Sequence, residues 1–263
     1  MSAKRVEVVH ACARTLLEQY AVKSPGDIRL ELFAAECFNA KVETGPIDGA
    51  EAQLVRRGKR ATITLADRVT DEAARRFNLA HELGHLALEH PTADASSLAC
   101  NPHRRRRTGP EGEASCWGSE ILMPTSLVAP LCQVSTVDLE VPHRIARDYT
   151  VSILASSIRF TELTNQRCAA VFTVDGKVIW CAVSKGWGKE IPKYMPVRSA
   201  SVAFQYHATG ELDERIQAVP ADAWLDTTAD AEILEHAICA PKYRSVLSML
   251  WMPEEIATVL SRP

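Results

Sequence analysis

The amino-acid sequence predicts an α+β fold, with a larger N-terminal part built around helices and a smaller, β-rich C-terminal part. Before residue 90, apolar residues recur at helical spacing in several segments, which is typical of amphipathic α-helices. Segments between residues 41 and 66 are short and strand-like, and one of them alternates polar and apolar residues. After residue 168, two β-type runs are separated by Asp175-Gly176, a favoured hairpin turn. Helices and strands that occupy different parts of the chain are typical of α+β proteins.

The composition is that of an ordinary globular protein. Hydrophobic residues make up 46% of the 263 residues and charged residues 24%, which excludes wholesale disorder. A net charge of -3 gives no support to a surface that binds nucleic acid throughout. No run of about 18 apolar residues and no N-terminal leader pattern is present, so we expect a cytoplasmic protein without membrane contact. The eight cysteines occur singly, and we expect them to be small buried side chains rather than disulfides.

Helices and short strands are predicted in a definite order in the first 90 residues. Amphipathic spacing marks the helices, and the turn Arg57-Gly58-Lys59 joins the last two strands into a hairpin. Thr70 is a candidate N-cap for the third helix, which ends just before Pro91. The predicted helices are 4–21, 28–38 and 71–89, and the predicted strands are 41–43, 53–56 and 60–65.

The rest of the chain divides into a loop, three helices and a β-rich region. The loop contains the basic run His103–Arg107, interpreted as a solvated surface segment, with an anion or nucleic-acid contact as the alternative. Two short helices meet near residues 148–151 and resemble a helix-turn-helix. We predict the domains 1–137, 138–165 and 166–263. The predicted segments are the loop 91–110, helices within 111–122 and 138–165, the hairpin 168–183, and strands at 201–207 and 244–252.

The segment His81-Glu82-Leu83-Gly84-His85 carries the strongest chemical signal. On a helix, two histidines four residues apart project from one face and can bind one metal ion. Glu82 lies beside them and can act as a general base without being a ligand. The surrounding residues are apolar nearly all round, so the helix is buried, and buried histidines need partners. A metal supplies them, and the alternative is a hydrogen-bonded pair of core histidines.

The third metal ligand is expected on the helix after the loop. Helical geometry places Glu111 on the same stripe as the apolar residues Ala114, Gly118, Ile121 and Leu122, and Glu113 with Glu120 on the opposite face, toward solvent. Glu111 is therefore the predicted ligand, and its alternative role is to stabilise the helix dipole.

Two further residues are candidates for contacts around this metal site. Ser115 lies one turn after Glu111 and could hydrogen-bond a ligating histidine. His90, at the end of the metal helix, is a candidate for substrate contact, or else an ordinary polar residue at a helix end. These two residues complete the predicted site of His81, Glu82, His85 and Glu111.

Two separated segments, Arg76–His85 and Glu111–Pro124, resemble the ImmA/IrrE family of metallopeptidases. The first has the pattern Arg-Phe-x-x-Ala-His-Glu-x-Gly-His, and the second ends in Leu-Met-Pro. Ser115 stands where the family usually has Asn, and Trp117-Gly118 replaces Phe-Ala. Neither departure falls on a predicted ligand. The resemblance extends over about residues 25–165.

The resemblance implies a zincin-like metallopeptidase in which His81, His85 and Glu111 bind zinc and Glu82 is the general base. It further implies cleavage of a helix-turn-helix repressor in response to stress or a signal, and hence a role in transcription regulation. The same donor set accepts Mn²⁺ or Fe²⁺. The alternative is a non-catalytic regulatory module that holds a partner or senses a ligand through residues 168–263. Direct DNA binding through residues 140–163 is a weaker hypothesis.

Overall fold

The computed structural model describes residues 1–91 and 109–260. These form two compact units, the first made of Met1–Leu127 with Ala146–Ser152 and the second of Val128–Ile145 with Ile153–Pro263. The α+β class is confirmed, because helices accompany two separate sheets. The predicted domain boundaries after residues 137 and 165 stay a prediction.

The first unit combines four helices with a three-stranded sheet of order β1-β3-β2. β1 runs parallel to β3, and β2 forms the predicted hairpin with β3. Gly58 in the hairpin turn has a φ of 59°, which glycine adopts without strain. The elements are α1 (Ala3–Gln19), α2 (Leu30–Phe38), β1 (Ala40–Gly45), β2 (Ala52–Arg57), β3 (Arg60–Ala66), α3 (Glu72–Ala87) and α4 (Gly109–Leu122).

The helix α3 is enclosed by its neighbours. All nine residues from Asn78 to Leu86 are buried, as the apolar surroundings of the histidines predicted. The N-cap of the helix is Asp71, whose side chain accepts a hydrogen bond from the Ala74 amide at 2.7 Å, and not the predicted Thr70. An aspartate at this position caps better than threonine because its carboxylate also interacts favourably with the helix dipole.

Three shorter helices follow α4. They are α5 (Thr125–Val128), α6 (Glu140–Tyr149) and α7 (Ile153–Leu163). The last two form the predicted pair, and Thr150 between them has a positive φ of 51°. α7 packs against β4 (Cys168–Val174) and β5 (Lys177–Val183) of the second unit, so it is largely buried.

The second unit contains a five-stranded antiparallel sheet of order β5-β4-β8-β7-β6. The predicted hairpin is present, and Asp175 and Gly176 both have positive φ, as a type I′ turn requires. Trp187 and Trp224 lie in its core. The remaining elements are α8 (Val202–Thr209), β6 (Gln217–Pro220), β7 (Glu232–Ala240), β8 (Ser245–Trp251) and α9 (Glu254–Leu260).

One predicted strand is wrong. Residues 201–207 are not extended; they form most of α8 and its N-cap. Ser201 caps the helix by accepting a hydrogen bond from the Phe204 amide, and Gly210 ends it with a φ of 80°. The buried residues Val202, Ala203 and Tyr206 have helical spacing, which the apparent alternation of the segment obscured.

Two other expectations concern the cysteines and membrane contact. The cysteines in the described part of the chain are all free thiols. Among the described helices, none is both long enough and apolar enough to span a bilayer. The basic run His103–Arg107, and most of the predicted loop that contains it, lie outside the described residues.

Candidate metal centre

Three side chains from α3 and α4 bring their ligand atoms together. The Nε2 atoms of His81 and His85 are 3.1 Å apart. The carboxylate oxygens of Glu111 lie 3.3 Å from the former and 3.4 Å from the latter. Ligands about 2.0–2.1 Å from a tetrahedral zinc ion are about 3.3–3.4 Å from one another, so the spacing fits such an ion. Among the described residues, this His-His-Glu group is the one whose ligand atoms lie close enough together to hold a metal ion.

The burial of the three groups leaves one side accessible. The side chain of Glu111 is 34% exposed, whereas His81 and His85 are each about 1% exposed. Burial and, to a lesser extent, the neighbouring His81 together lower the pKa of His85 to about 4, so the imidazole is neutral. A hydrogen bond with His81 holds the pKa of Glu111 below its usual range. Neutral imidazoles and an ionised carboxylate are the protonation states that metal ligation requires.

Glu82 is fully buried beside these groups. Among the described residues, neither of its carboxylate oxygens has a hydrogen-bond partner. Burial raises the pKa of this carboxyl group to about 8, and the negative charge of Glu111 contributes in the same direction. A buried carboxylate without a partner is costly, and a cation beside it would offset that cost. The donor set and Glu82 therefore both fit a divalent metal ion.

The outer nitrogens of both histidines have hydrogen-bonding neighbours. Ser115 Oγ lies 3.1 Å from His81 Nδ1, and His90 Nδ1 lies 3.0 Å from His85 Nδ1. His90 is buried, so the structure places it beside a candidate ligand rather than at the surface of a helix end. All six residues predicted for the site are thus brought into one cluster.

The expected orientation of Glu113 and Glu120 is wrong. The side chain of Glu113 is only 14% exposed and contacts Arg5 and His90. Glu120 is fully buried, and its carboxylate accepts hydrogen bonds from the amide and hydroxyl of Thr125. The helical-wheel argument assumed one packed face, but α4 packs against α1 as well as α3. A helix enclosed on two sides buries polar residues on both.

The contact between Arg5 and Glu113 was not among the predictions from the sequence. Arg5 lies in the first turn of α1, and its guanidinium binds both carboxylate oxygens of Glu113, which lies 108 residues further along the chain. Nothing in the local sequence links the two residues, because only the packing of α1 on α4 brings them together.

The fold and the cluster are those of a zincin-like domain, in which one helix carries two histidines and a glutamate and the next helix carries a further glutamate. A family model described as Peptidase_M78, IrrE N-terminal-like domain, matches residues 35–161. The predicted resemblance to the ImmA/IrrE family is thus confirmed over this segment.

The fold is also similar to that of a solved structure described as a Mycobacterium tuberculosis transcriptional regulator. The TM-score is 0.61 at 12% sequence identity, and the match covers 92% of this chain and 76% of that chain. At this identity the likeness concerns the fold alone. No match is found among curated proteins.

Proposed function

We propose that the chain is a zinc-dependent endopeptidase that cleaves a helix-turn-helix transcriptional repressor in response to stress or another signal. The observation that carries this proposal is Glu82, a buried carboxylate beside a His-His-Glu donor set with no other partner among the described residues. A protein that only binds metal for stability has no need of such a group. A hydrolase needs it as a proton acceptor.

In this proposal His81, His85 and Glu111 hold the ion, and Glu82 is the general base. Zinc bound there would supply a Lewis acid that lowers the pKa of a water molecule in the site toward about 7. Glu82 would accept the proton of the attacking water and pass it to the leaving amine. Ser115 would orient His81, and the exposed side of Glu111 would face the substrate.

A repressor substrate is what the resemblance of residues 35–161 to the ImmA/IrrE family implies. The transcriptional-regulator description of the structural neighbour is in keeping with a role in transcription. Direct DNA binding is not favoured. α7, the second helix of the pair α6 and α7, buries its polar side chains: Ser156, Ser157 and Arg159 are at most 1% exposed. Arg159 also contacts Glu162. A recognition helix must instead present such side chains to the major groove.

The second candidate is a regulatory binding module that keeps the metal centre but holds a partner or senses a ligand. It is favoured by one observation: the five-stranded sheet of the second unit lies outside residues 35–161, the span that matches the family model. A peptidase centre does not itself require this sheet. An intact Glu82 favours the enzyme over the module.

The test compares wild type with Glu82→Gln, each co-expressed with a candidate helix-turn-helix repressor chosen from the genes next to its own. The variant should keep its metal and lose cleavage, because a neutral amide cannot accept the proton, and general-base assistance contributes about 10²–10⁴ in rate. Intact-mass measurement of the repressor, with and without the inducing stress, reports cleavage. Glu89→Gln, an exposed glutamate near the end of the same helix, is the control. If wild type and Glu82→Gln both derepress the target genes while the repressor stays intact, the result would instead support the binding module.

A further inference from the structure

The side chain of His90 connects the metal centre to the first helix of the chain. Its Nδ1 lies 3.0 Å from Nδ1 of His85, and its Nε2 lies 3.1 Å from a carboxylate oxygen of Glu113. Arg5, on α1, binds both oxygens of Glu113, with one Nε to Oε1 distance of 2.8 Å. His90 is 7% exposed and the Arg5 side chain 44%, so the series of contacts runs from the interior to the surface.

With a metal ion bound to Nε2 of His85, elementary proton counting fixes the direction of every hydrogen bond in this series. His85 presents Nε2 to His81 and Glu111, and a histidine that ligates through Nε2 carries its proton on Nδ1. The Nδ1–H of His85 therefore donates to Nδ1 of His90. His90 must then carry its own proton on Nε2, from which it donates to Glu113. A carboxylate only accepts and a guanidinium only donates, so Arg5 completes the series without conflict.

The two histidine ligands differ in how firmly their tautomers are specified. Nδ1 of His81 faces the hydroxyl of Ser115, which can donate or accept and so does not select one tautomer. Nδ1 of His85 faces a histidine whose other nitrogen is bound to an anchored carboxylate. Only the second arrangement specifies which nitrogen of the ligand is free for the metal.

We propose that His90, Glu113 and Arg5 form a positioning relay that holds His85 with its Nε2 lone pair toward the metal and thereby sets metal affinity. This inference rests on the proposed metal centre but not on peptide cleavage. Arg5 lies outside residues 35–161, so the relay extends the centre beyond the segment that matches the family model.

The test measures Zn²⁺ affinity of metal-free protein by competition with a chromophoric chelator. For His90→Phe we expect a Kd about 10–100-fold higher than that of wild type, the usual effect of removing a partner of a ligating histidine. His90→Asn should recover part of this loss, because its side-chain oxygen can accept near the former Nδ1 position. Arg5→Met should raise the Kd about two- to fivefold, as expected for a partly exposed ion pair. Arg14→Met is the matched control, because this arginine of α1 pairs with the exposed Glu7.

Long-range ¹H–¹⁵N spectra of the histidine rings supply a readout that a purely structural role would not move. In the zinc-loaded protein we expect the proton of His85 on Nδ1 and that of His90 on Nε2. A folded His90→Phe variant with wild-type affinity, or a His90 ring protonated on Nδ1, would overturn the relay. If His90→Phe does not fold, the surface variant Arg5→Met decides, and an unchanged affinity overturns the relay.

The outcomes for the relay and for the proposed function are separable. Wild-type protein that binds Zn²⁺, loses affinity in the relay variants and leaves the repressor uncut would contradict the peptidase and support the relay. Cleavage of the repressor by wild-type protein, together with relay variants whose Zn²⁺ affinity is unchanged, would support the peptidase and contradict the relay. Wild-type protein that binds no Zn²⁺ overturns both.

Discussion

The two carboxylates nearest the histidines have opposite environments. Glu82 is enclosed without a hydrogen-bond partner among the described residues, and burial raises its pKa to about 8. Glu111 is partly exposed and hydrogen-bonded to His81, which lowers its pKa. Environments that move two pKa values apart allow two chemically identical groups to have different roles. Glu111 suits the role of ionised ligand, and Glu82 suits that of a group that takes up and releases a proton.

The ligand role of Glu111 can be separated from a helix-dipole role. Glu111→Gln should weaken Zn²⁺ binding by about tenfold or more, because an amide oxygen is a poorer ligand than a carboxylate. The matched control is Glu140→Gln, since Glu140 is an exposed first-turn glutamate of α6. Both substitutions remove a favourable interaction with a helix dipole, but only the first touches the cluster. Equal metal affinity of the two variants, measured by chelator competition, would remove Glu111 from the site.

The sequence predicted the inner residues of the site better than the outer ones, for a physical reason. His81, Glu82 and His85 lie within five residues of one helix, so their relative positions follow from helical geometry alone. The contacts of Glu113 with Arg5 and His90 depend on how three helices pack. A pattern in one segment carries no information about a partner 108 residues away.

At the scale of elements, the cluster depends on the close approach of α3 and α4. A Cβ atom added to Gly84 would lie 2.8 Å from the backbone oxygen of Ala114, closer than real contacts allow. One added to Gly118 would lie 3.3 Å from backbone atoms of α3, which is tight but tolerable. The glycine in the metal helix therefore sets the distance between the helix that carries the histidines and the helix that carries Glu111.

Substitution of the two glycines should have unequal effects. Gly84→Ala should lower the free energy of unfolding by about 1–3 kcal/mol, because overpacking against a backbone outweighs the better helix propensity of alanine. Gly118→Ala should be close to neutral, since propensity, about 1 kcal/mol, offsets the tighter contact. Urea unfolding monitored by circular dichroism gives both values. Equal stabilities of the two variants would show that the helices can move apart without cost.

A second element-scale contact is the attachment of α8 to the sheet by Glu235 of β7. Its buried carboxylate accepts hydrogen bonds from the amides of Val202 and Ala203, from Trp224 Nε1 and from Ser248 Oγ. Burial raises the pKa of Glu235, and these four donors act in the opposite direction by favouring the ionised form. Glu235 thus lies at the N-terminus of α8, where the helix dipole favours a negative charge.

Replacing this acid should destabilise the second unit. Glu235→Gln places an amide NH₂ group among four donors, so at least one buried donor loses its acceptor, at a cost of about 1–3 kcal/mol. Glu232→Gln is the control, because Glu232 is exposed on the same strand. Chemical denaturation of the two variants measures the difference. A Glu235→Gln variant as stable as the control would mean that the four donors find other partners.

The β7 strand also shows why part of the C-terminal fold could not be predicted. Its inward-facing series is Ile233, Glu235 and Ala237, so a buried glutamate interrupts the apolar residues. Leu234 and Ile238, in the alternate series, are apolar as well. A charged residue at an inward position breaks the period-2 pattern that identifies strands. The hairpin β4–β5 lacks such an interruption, and its Asp-Gly turn was sufficient to predict it.

At the scale of the whole molecule, the metal cluster lies entirely within the first compact unit. A ligand that binds only the native form stabilises the part of the molecule whose opening destroys its site. Hydrogen exchange measured for individual peptides can therefore determine whether the two units open separately. The comparison is between zinc-loaded and metal-free protein.

We expect zinc to protect the first unit selectively. At a free Zn²⁺ concentration of about 100 times the Kd, amides of α3 and α4 that exchange through opening of this unit should slow about 100-fold, equivalent to about 2.7 kcal/mol. Amides of β7 and β8 should exchange at unchanged rates, because no residue of these strands belongs to the cluster. The His81→Ala, His85→Ala double variant is the control and should show no zinc-dependent protection. Equal protection of both units would mean that they open as one cooperative body, and the metal would then stabilise the sheet that lies outside the family match.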